Sequence, residues 1–171
     1  CTFTTCDGKS HTIVGKWDLL IAHPPCTYLS NAGACRLYPV KGQLNMERYQ
    51  KGLEAKEFFM SFYNADCDRI AVENPTPSKV FQLPAPSQYI HPYEFDPEGK
   101  HPYTKRTGLW LKGLPLLVPT SPEAKPVAPY VPSETSRKLR NKYGTAKRGE
   151  DAKNRSKTFE GIGNAMAYQW G

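Results

Sequence analysis

Short apolar runs that stop at proline recur along this chain. Leu19-Leu20-Ile21-Ala22 is followed by His23 and Pro24-Pro25, and Ile70-Ala71-Val72 by Glu73-Asn74 and Pro75. Continuous rather than alternating hydrophobicity over so few residues marks a strand covered on both faces, as in a parallel sheet. Proline ends such a strand because it lacks the N–H that the ladder needs. Between the two runs, from Leu44 to Ala65, the residues Met46, Tyr49, Leu53, Phe59 or Met60, and Tyr63 recur at helical spacing. Glu47, Lys51, Glu54 and Lys56 fill the other face. Strand, helix and strand over this length predict one crossover unit with two parallel strands. Cys26 then falls just past the carboxyl end of a central strand, where open α/β sheets bind ligands. Glu73 arrives beside it, because adjacent parallel strands end at the same edge.

The rest of the chain gives weaker patterns. Cys1 to Lys16 is polar and reads as a loop leading into the first strand. Gln88 to Phe95 resembles a strand, and Thr107 to Lys112 is a clearer one. Between them Lys100, His101, Lys105 and Arg106 form a basic loop able to meet phosphates, or only solvent. From Ser121 the chain is punctuated by proline, and Lys and Arg then crowd the stretch from Arg137 to Lys157. That stretch reads as a loosely ordered cationic segment that tracks a nucleic-acid backbone or is simply solvated. The end, from Phe159 to Trp170, reads as a glycine turn and a short helix whose Ile162, Met166 and Trp170 dock on the core.

Composition narrows the class. A chain of 171 residues is one domain by size, and a formal charge of +7 favours a polyanionic partner. No apolar run approaches the ~18 residues of a membrane-spanning helix, and no signal-peptide pattern opens the chain. Five cysteines without a C-x-x-C pair suggest reduced thiols in a cytosol. The spacing of Cys1, Cys6, Cys35 and Cys67 matches no common zinc pattern. Cys26 is either a nucleophile held on a stiff turn or a small residue filling space. Glu73 is either a carboxyl group kept protonated at a partly buried strand end or a solvated strand terminus.

Three motifs in order, Pro24-Pro25-Cys26, Glu73-Asn74-Pro75 and Gly163-Asn164-Ala165, resemble those of the DNA cytosine carbon-5 methyltransferases. The chain looks most like the small methyltransferase-like proteins of phages and prophages. These share a stretch that reads here Gln88, Ile90, Pro92, then Lys105, Thr107, Leu109, Trp110 and Leu111. The resemblance covers most of Trp17 to Thr120 and the last dozen residues. It implies an α/β, Rossmann-like S-adenosylmethionine methyltransferase fold with a parallel-strand core, incomplete at its N-terminus. It also implies Cys26 as the nucleophile that adds to cytosine carbon 6 and Glu73 as the acid contacting the base. Pro24, Pro25, Asn74, Lys105 and Arg106 would bind substrate, Asn164 would bind the cofactor S-adenosylmethionine, and no metal is implied. The partner would be DNA, held by the basic loop and tail with its target base flipped out. The location would be a bacterial or phage-infected cytoplasm.

The departures matter as much. The family's Phe-x-Gly-x-Gly cofactor turn, its ribose-binding carboxylate and its Gln-x-Arg-x-Arg stretch are absent, although Lys105 and Arg106 could stand in for the last. His23 occupies a place usually taken by Gly. The organisation expected is therefore a partial methyltransferase-like core at 1–120, a Pro-rich then basic irregular segment at 121–158, and a helix at 159–171 that docks back. Such a chain is the C-terminal part of a longer enzyme or a shortened relative, and is not expected to methylate DNA alone. Two alternatives stay open: a non-catalytic nucleic-acid-binding remnant, and another pyrimidine-modifying enzyme with a Pro-Pro-Cys thiol.

Overall fold

The computed structural model describes residues 2–4, 7–12, 14–129 and 159–171. In chain order its elements are β1 (Thr2–Thr4), β2 (Ser10–Thr12), β3 (Leu20–Ala22), the one-turn α1 (Ala34–Leu37) and α2 (Met46–Tyr63). There follow β4 (Ile70–Pro75), β5 (Gln88–Ile90), β6 (Tyr103–Thr104), β7 (Thr107–Lys112), β8 (Ala128–Pro129) and, renumbered in sequence, α3 (Glu160–Trp170). The fold is α/β, with a four-stranded mixed sheet ordered β3-β4-β7-β5.

β4 carries the sheet. It pairs parallel with β3, Leu20 beside Ile70 and Ala22 beside Val72, as the repeated strand-then-proline pattern predicts. Its alternate residues feed two cores. Ile70 and Val72 pack with Phe59 of α2, Leu29, Leu37, Phe81 and Trp110 on one face. Ala71 packs with Leu109, Ile90, Phe95 and the α3 residues Ile162, Ala165, Met166 and Trp170 on the other. Two covered faces explain why β4 is apolar without alternation.

The parallel-strand core needs correction at β7. This strand runs antiparallel to β4 on one side and to β5 on the other, so it is the reversed member among three strands of common direction. β7 follows β5 through residues 91–106, which contain only a 3-10 turn (Pro92–Phe95) and the short β6, and it returns to pair with β5 antiparallel. β3 also differs from expectation. Among the described residues it is an edge strand rather than a central one, and Ile21 and Trp17 are 40% and 62% exposed. An apolar run reports covered faces, here Leu19 on one core and Leu20 on the other, and says nothing of whether the edge is paired.

Smaller corrections follow the same logic. The N-terminal loop is a hairpin, β1 with β2, turned near Gly8 at φ 80°. The strand expected across Gln88 to Phe95 ends at Ile90, because Pro92 opens the 3-10 turn and Glu94 Oε2 accepts the His91 N–H at 2.6 Å. Met46, placed on the buried face by spacing, is 66% exposed as the first helical residue. Gly161 and Gly163, expected in a turn before α3, lie within the helix. Gly161 is there for close approach, since a Cβ at that position would collide with the Phe95 carbonyl oxygen.

Gln88 and Gln169 act as backbone surrogates. The Gln88 amide both donates to Leu117 O (3.1 Å) and accepts from Leu117 N (2.6 Å), and Gln169 does the same to Val118 at 2.9 and 2.8 Å. The proline-punctuated stretch is then tied back, with Ser121 N donating to Glu94 O and β8 pairing parallel to β6. The cationic run from Arg137 to Lys157 lies outside the described residues. No described helix is long and apolar enough to cross a membrane.

Candidate active site

The site begins where the β3–β4 ladder runs out. Past Ala22 and Val72, the next residues are His23 opposite Glu73, and their side chains meet with His23 Nδ1 3.0 Å from Glu73 Oε2. One residue further, backbone pairing is replaced by a side chain. Asn74, only 1% exposed, donates through Nδ2 to the Pro24 carbonyl at 2.8 Å. The substitution is required chemically, because Pro24, Pro25 and Pro75 have no N–H to offer. The same lack of donors leaves Asn74 Oδ1 buried without a hydrogen-bond partner among the described residues.

Cys26 follows at once, partly buried, on a turn in which Leu29 N and Ser30 N both donate to its carbonyl oxygen. That turn is closed against the loop leaving β4. Asn31 N donates to Thr76 O at 2.9 Å and Ser78 N to Leu29 O at 2.7 Å, with Leu29 wholly buried beneath. From α2, the Arg48 guanidinium donates to Thr27 O at 2.8 Å. The thiol is thus held on backbone fixed from β4, from the loop after it and from α2.

The third member comes from the loop between β6 and β7. Lys105 is half-buried, and its ammonium lies 5.3 Å from the Phe159 ring centroid. Burial pushes its pKa down, while the Glu73 carboxylate and the Cys26 thiol, both within electrostatic reach, push it up. His23 and Glu73 therefore meet at the carboxyl edge of two adjacent parallel strands, with Lys105 within electrostatic reach of Glu73 and of the Cys26 thiol. A cation near a thiol favours the thiolate, the nucleophilic form. A carboxyl group and an ammonium alongside can donate protons to a ring the thiolate attacks.

Comparison with protein-family models, with curated proteins and with solved structures returned no match. Function must come from the geometry.

The residues singled out from sequence divide into groups. Cys26, Glu73 and Lys105 are brought together. Asn74 and Pro24 are buried and hold the turn, whereas Pro25 is exposed next to the thiol. Arg106 points elsewhere, its guanidinium 3.7 Å over the Tyr89 ring. Asn164 is exposed on α3 and lines an open cleft of about 260 Å³ with Asp96, Lys100, His101 and Glu160. Neither Cys26, Glu73 nor Lys105 lines that cleft. The two regions connect through Phe159, whose ring contacts both Lys105 and His101. Ile90, Leu109 and Trp110 of the phage-like stretch are core residues, and the Trp110 indole donates to Pro84 O at 2.7 Å.

Sequence reasoning missed His23, which gave no signal beyond standing in an unusual place; its partnership with Glu73 is a matter of register. Lys105, expected on a basic loop that meets phosphates or solvent and, by resemblance, to bind substrate, is half-buried against Phe159. Of the cysteines weighed for zinc, Cys1 and Cys6 lie outside the described residues, and the Cys67 thiol donates to the carbonyls of Trp17 and Arg69.

Proposed function

We propose that this chain addresses a cytosine base in DNA in the manner of the cytosine carbon-5 methyltransferases, with Cys26 as nucleophile. The observation that carries the proposal is the convergence of Cys26, Glu73 and Lys105 beside the Pro-Pro turn. A sheet with one reversed strand inside an otherwise co-directional set is compatible with the Rossmann-like methyltransferase fold that the motifs suggest. A DNA substrate goes with the positive charge of the chain and with a cytoplasmic setting.

The Cys26 sulfur forms a bond to carbon 6, and the electrons of the carbon 5–carbon 6 double bond move into the ring as nitrogen 3 takes a proton from Glu73. The product is an enamine, nucleophilic at carbon 5. His23, bonded to the Glu73 carboxyl and itself partly exposed, returns that proton from solvent. Lys105 offsets negative charge on the thiolate and the carboxylate.

The resemblance also implies S-adenosylmethionine, which would supply an electrophilic methyl group. The described residues do not fit it beside Cys26. Asn164 lines a different cleft, and both Asp96 oxygens there already accept the backbone N–H groups of Lys100 and His101. The proposal is therefore confined to addition at the base.

Addition can be read without a methyl donor. In D₂O the enamine takes a deuteron at carbon 5, loses the original hydrogen, and re-forms the double bond as the thiolate leaves. Mass spectrometry of a cytosine-containing oligonucleotide should show deuterium at carbon 5 with the wild-type chain and none with Cys26→Ala. Exchange that survives Cys26→Ala would refute the nucleophile. Binding without exchange would favour the alternative of a base-holding protein, to which the failure of the cofactor fit also lends support.

A further inference from the structure

Glu73 can protonate a base only if a proton waits at the site. In water a carboxyl group gives up its proton at about pH 4.3 and an imidazole at about pH 6.5. At pH 7 an isolated carboxyl group is therefore ionised in all but about one molecule in 500, and has nothing to donate. Glu73 is not isolated. His23 Nδ1 stands 3.0 Å from its Oε2, where the β3–β4 ladder ends.

The groups facing this pair come from separate elements. Glu73 belongs to β4, and His23 follows β3 directly. Lys105, from the loop between β6 and β7, sets a positive charge within electrostatic reach of Glu73 and of the Cys26 thiol on its turn. An imidazole and a carboxyl group at hydrogen-bond distance hold one proton between them, and the more basic imidazole keeps it. His23 is also the member that solvent can refill, since its side chain is 41% exposed against 24% for Glu73. Glycine, usual at this place in the enzymes that the motifs resemble, could carry no proton.

We propose that the proton delivered to nitrogen 3 is held at rest by His23, a positioning residue that acts through Glu73. The inference rests on the cytosine reading above and goes beyond it in locating the resting proton. As the Cys26 thiolate bonds to carbon 6, the proton leaves Nδ1 of the imidazolium for the Glu73 carboxylate and passes from there to nitrogen 3. The pair is left as a neutral imidazole and a carboxylate. The positive charge lost by the imidazolium balances the negative charge lost by the thiolate, and solvent returns one proton to His23.

The test follows deuterium exchange at carbon 5 of a cytosine-containing oligonucleotide between pH 5 and pH 8, with the full chain as wild type, His23→Ala and His23→Asn. The ratio of wild-type to His23→Ala rates cancels the titration of the thiol, which both share. It should widen from about sixfold at pH 5 to about a hundredfold at pH 7, because only the imidazole still holds a proton there. His23→Asn, which can keep a hydrogen bond to Glu73 but stores no proton, should follow His23→Ala. A ratio that is the same at every pH, or full rescue by His23→Asn, would reduce His23 to a structural support and overturn the proposal. Nitrogen-15 NMR of the His23 ring gives a second readout that needs no base. A slowly exchanging Nδ1 proton should be seen in wild type at pH 6 and be lost in Glu73→Ala; its absence in wild type would also overturn the proposal. Failure of the parent reading looks different: wild type then shows no exchange at any pH, while the Nδ1 proton still depends on Glu73.

Discussion

Two glycines in α3, two residues apart, should respond to the same substitution with opposite sign. At Gly163 nothing lies within 4 Å of an added Cβ. Gly163→Ala therefore gains only helix propensity, about 0.8–1 kcal/mol. At Gly161 an ideal Cβ would overlap the Phe95 carbonyl oxygen. Ordinary carbon–oxygen contacts are about 3.3–3.6 Å, so the helix or the 3-10 turn beneath it must withdraw by more than 1 Å. Neither partner is a flexible side chain. Overpacking of this kind costs about 1–3 kcal/mol, and withdrawal also loosens Ile162, Ala165, Met166 and Trp170, each at most 6% exposed. Set against the propensity gain, Gly161→Ala should lose about 1 kcal/mol. The two variants should then differ by about 2 kcal/mol in urea unfolding, or roughly 4–8 °C in Tm at this chain length. Gly161→Ala as stable as wild type would show that α3 does not dock as described. The site is a second readout: Phe159, immediately before α3, contacts Lys105, so carbon-5 exchange should fall in Gly161→Ala and not in Gly163→Ala.

Other changes test the turn and the buried amine. Lys105→Met should abolish carbon-5 exchange yet leave the fold as stable or more so, because burial already disfavours the ammonium. The lowered folded pKa means that the unfolded chain binds this proton more tightly. Wild-type stability should therefore rise, relative to the variant, as pH climbs from the lowered value towards 10.5; parallel pH profiles in denaturant titrations would contradict the burial. Asn74→Ala should cost about 1–2 kcal/mol, because the Pro24 carbonyl loses its donor. Asn74→Asp should cost more despite equal size, since it sets a carboxylate against that carbonyl; equal losses measured by urea unfolding would exclude the bond.

How much of this was legible in the sequence depends on whether a residue's role is local. The crossover of β3, α2 and β4 was, because apolar runs, helical spacing and proline stops act within a few residues of each other. So was the arrival of Glu73 at the edge near Cys26, a consequence of parallel strands alone. The reversed β7 was not, because strand direction is set by the connection and not by the strand. The edge position of β3 was hidden for a related reason: Leu19 and Leu20 announce two covered faces, and no residue announces an unpaired edge. Lys105 and Arg106 look alike as neighbours in a basic loop, and tertiary packing sends one towards Glu73 and the other onto Tyr89. Gly161 reads as a turn residue by type and proves to be a contact residue. Sequence carries no sign of the difference.

The prolines explain why the site depends on so many distant residues. A strand end made of His23-Pro24-Pro25 has one backbone donor where an ordinary chain would have three, so the ladder cannot hold the Cys26 turn. What replaces it must come from side chains and from carbonyls: Asn74 on the Pro24 oxygen, Arg48 on the Thr27 oxygen, and two donors on that of Cys26. Each hold arises from a different place, β4, α2 and the turn itself. Proline also restricts the residue before it to extended backbone, so the few remaining freedoms of the turn are those these bonds fix. The Cys26 thiol is thus positioned by the chain itself, and on the proposed reading the binding energy of a nucleic acid need not be spent in ordering it.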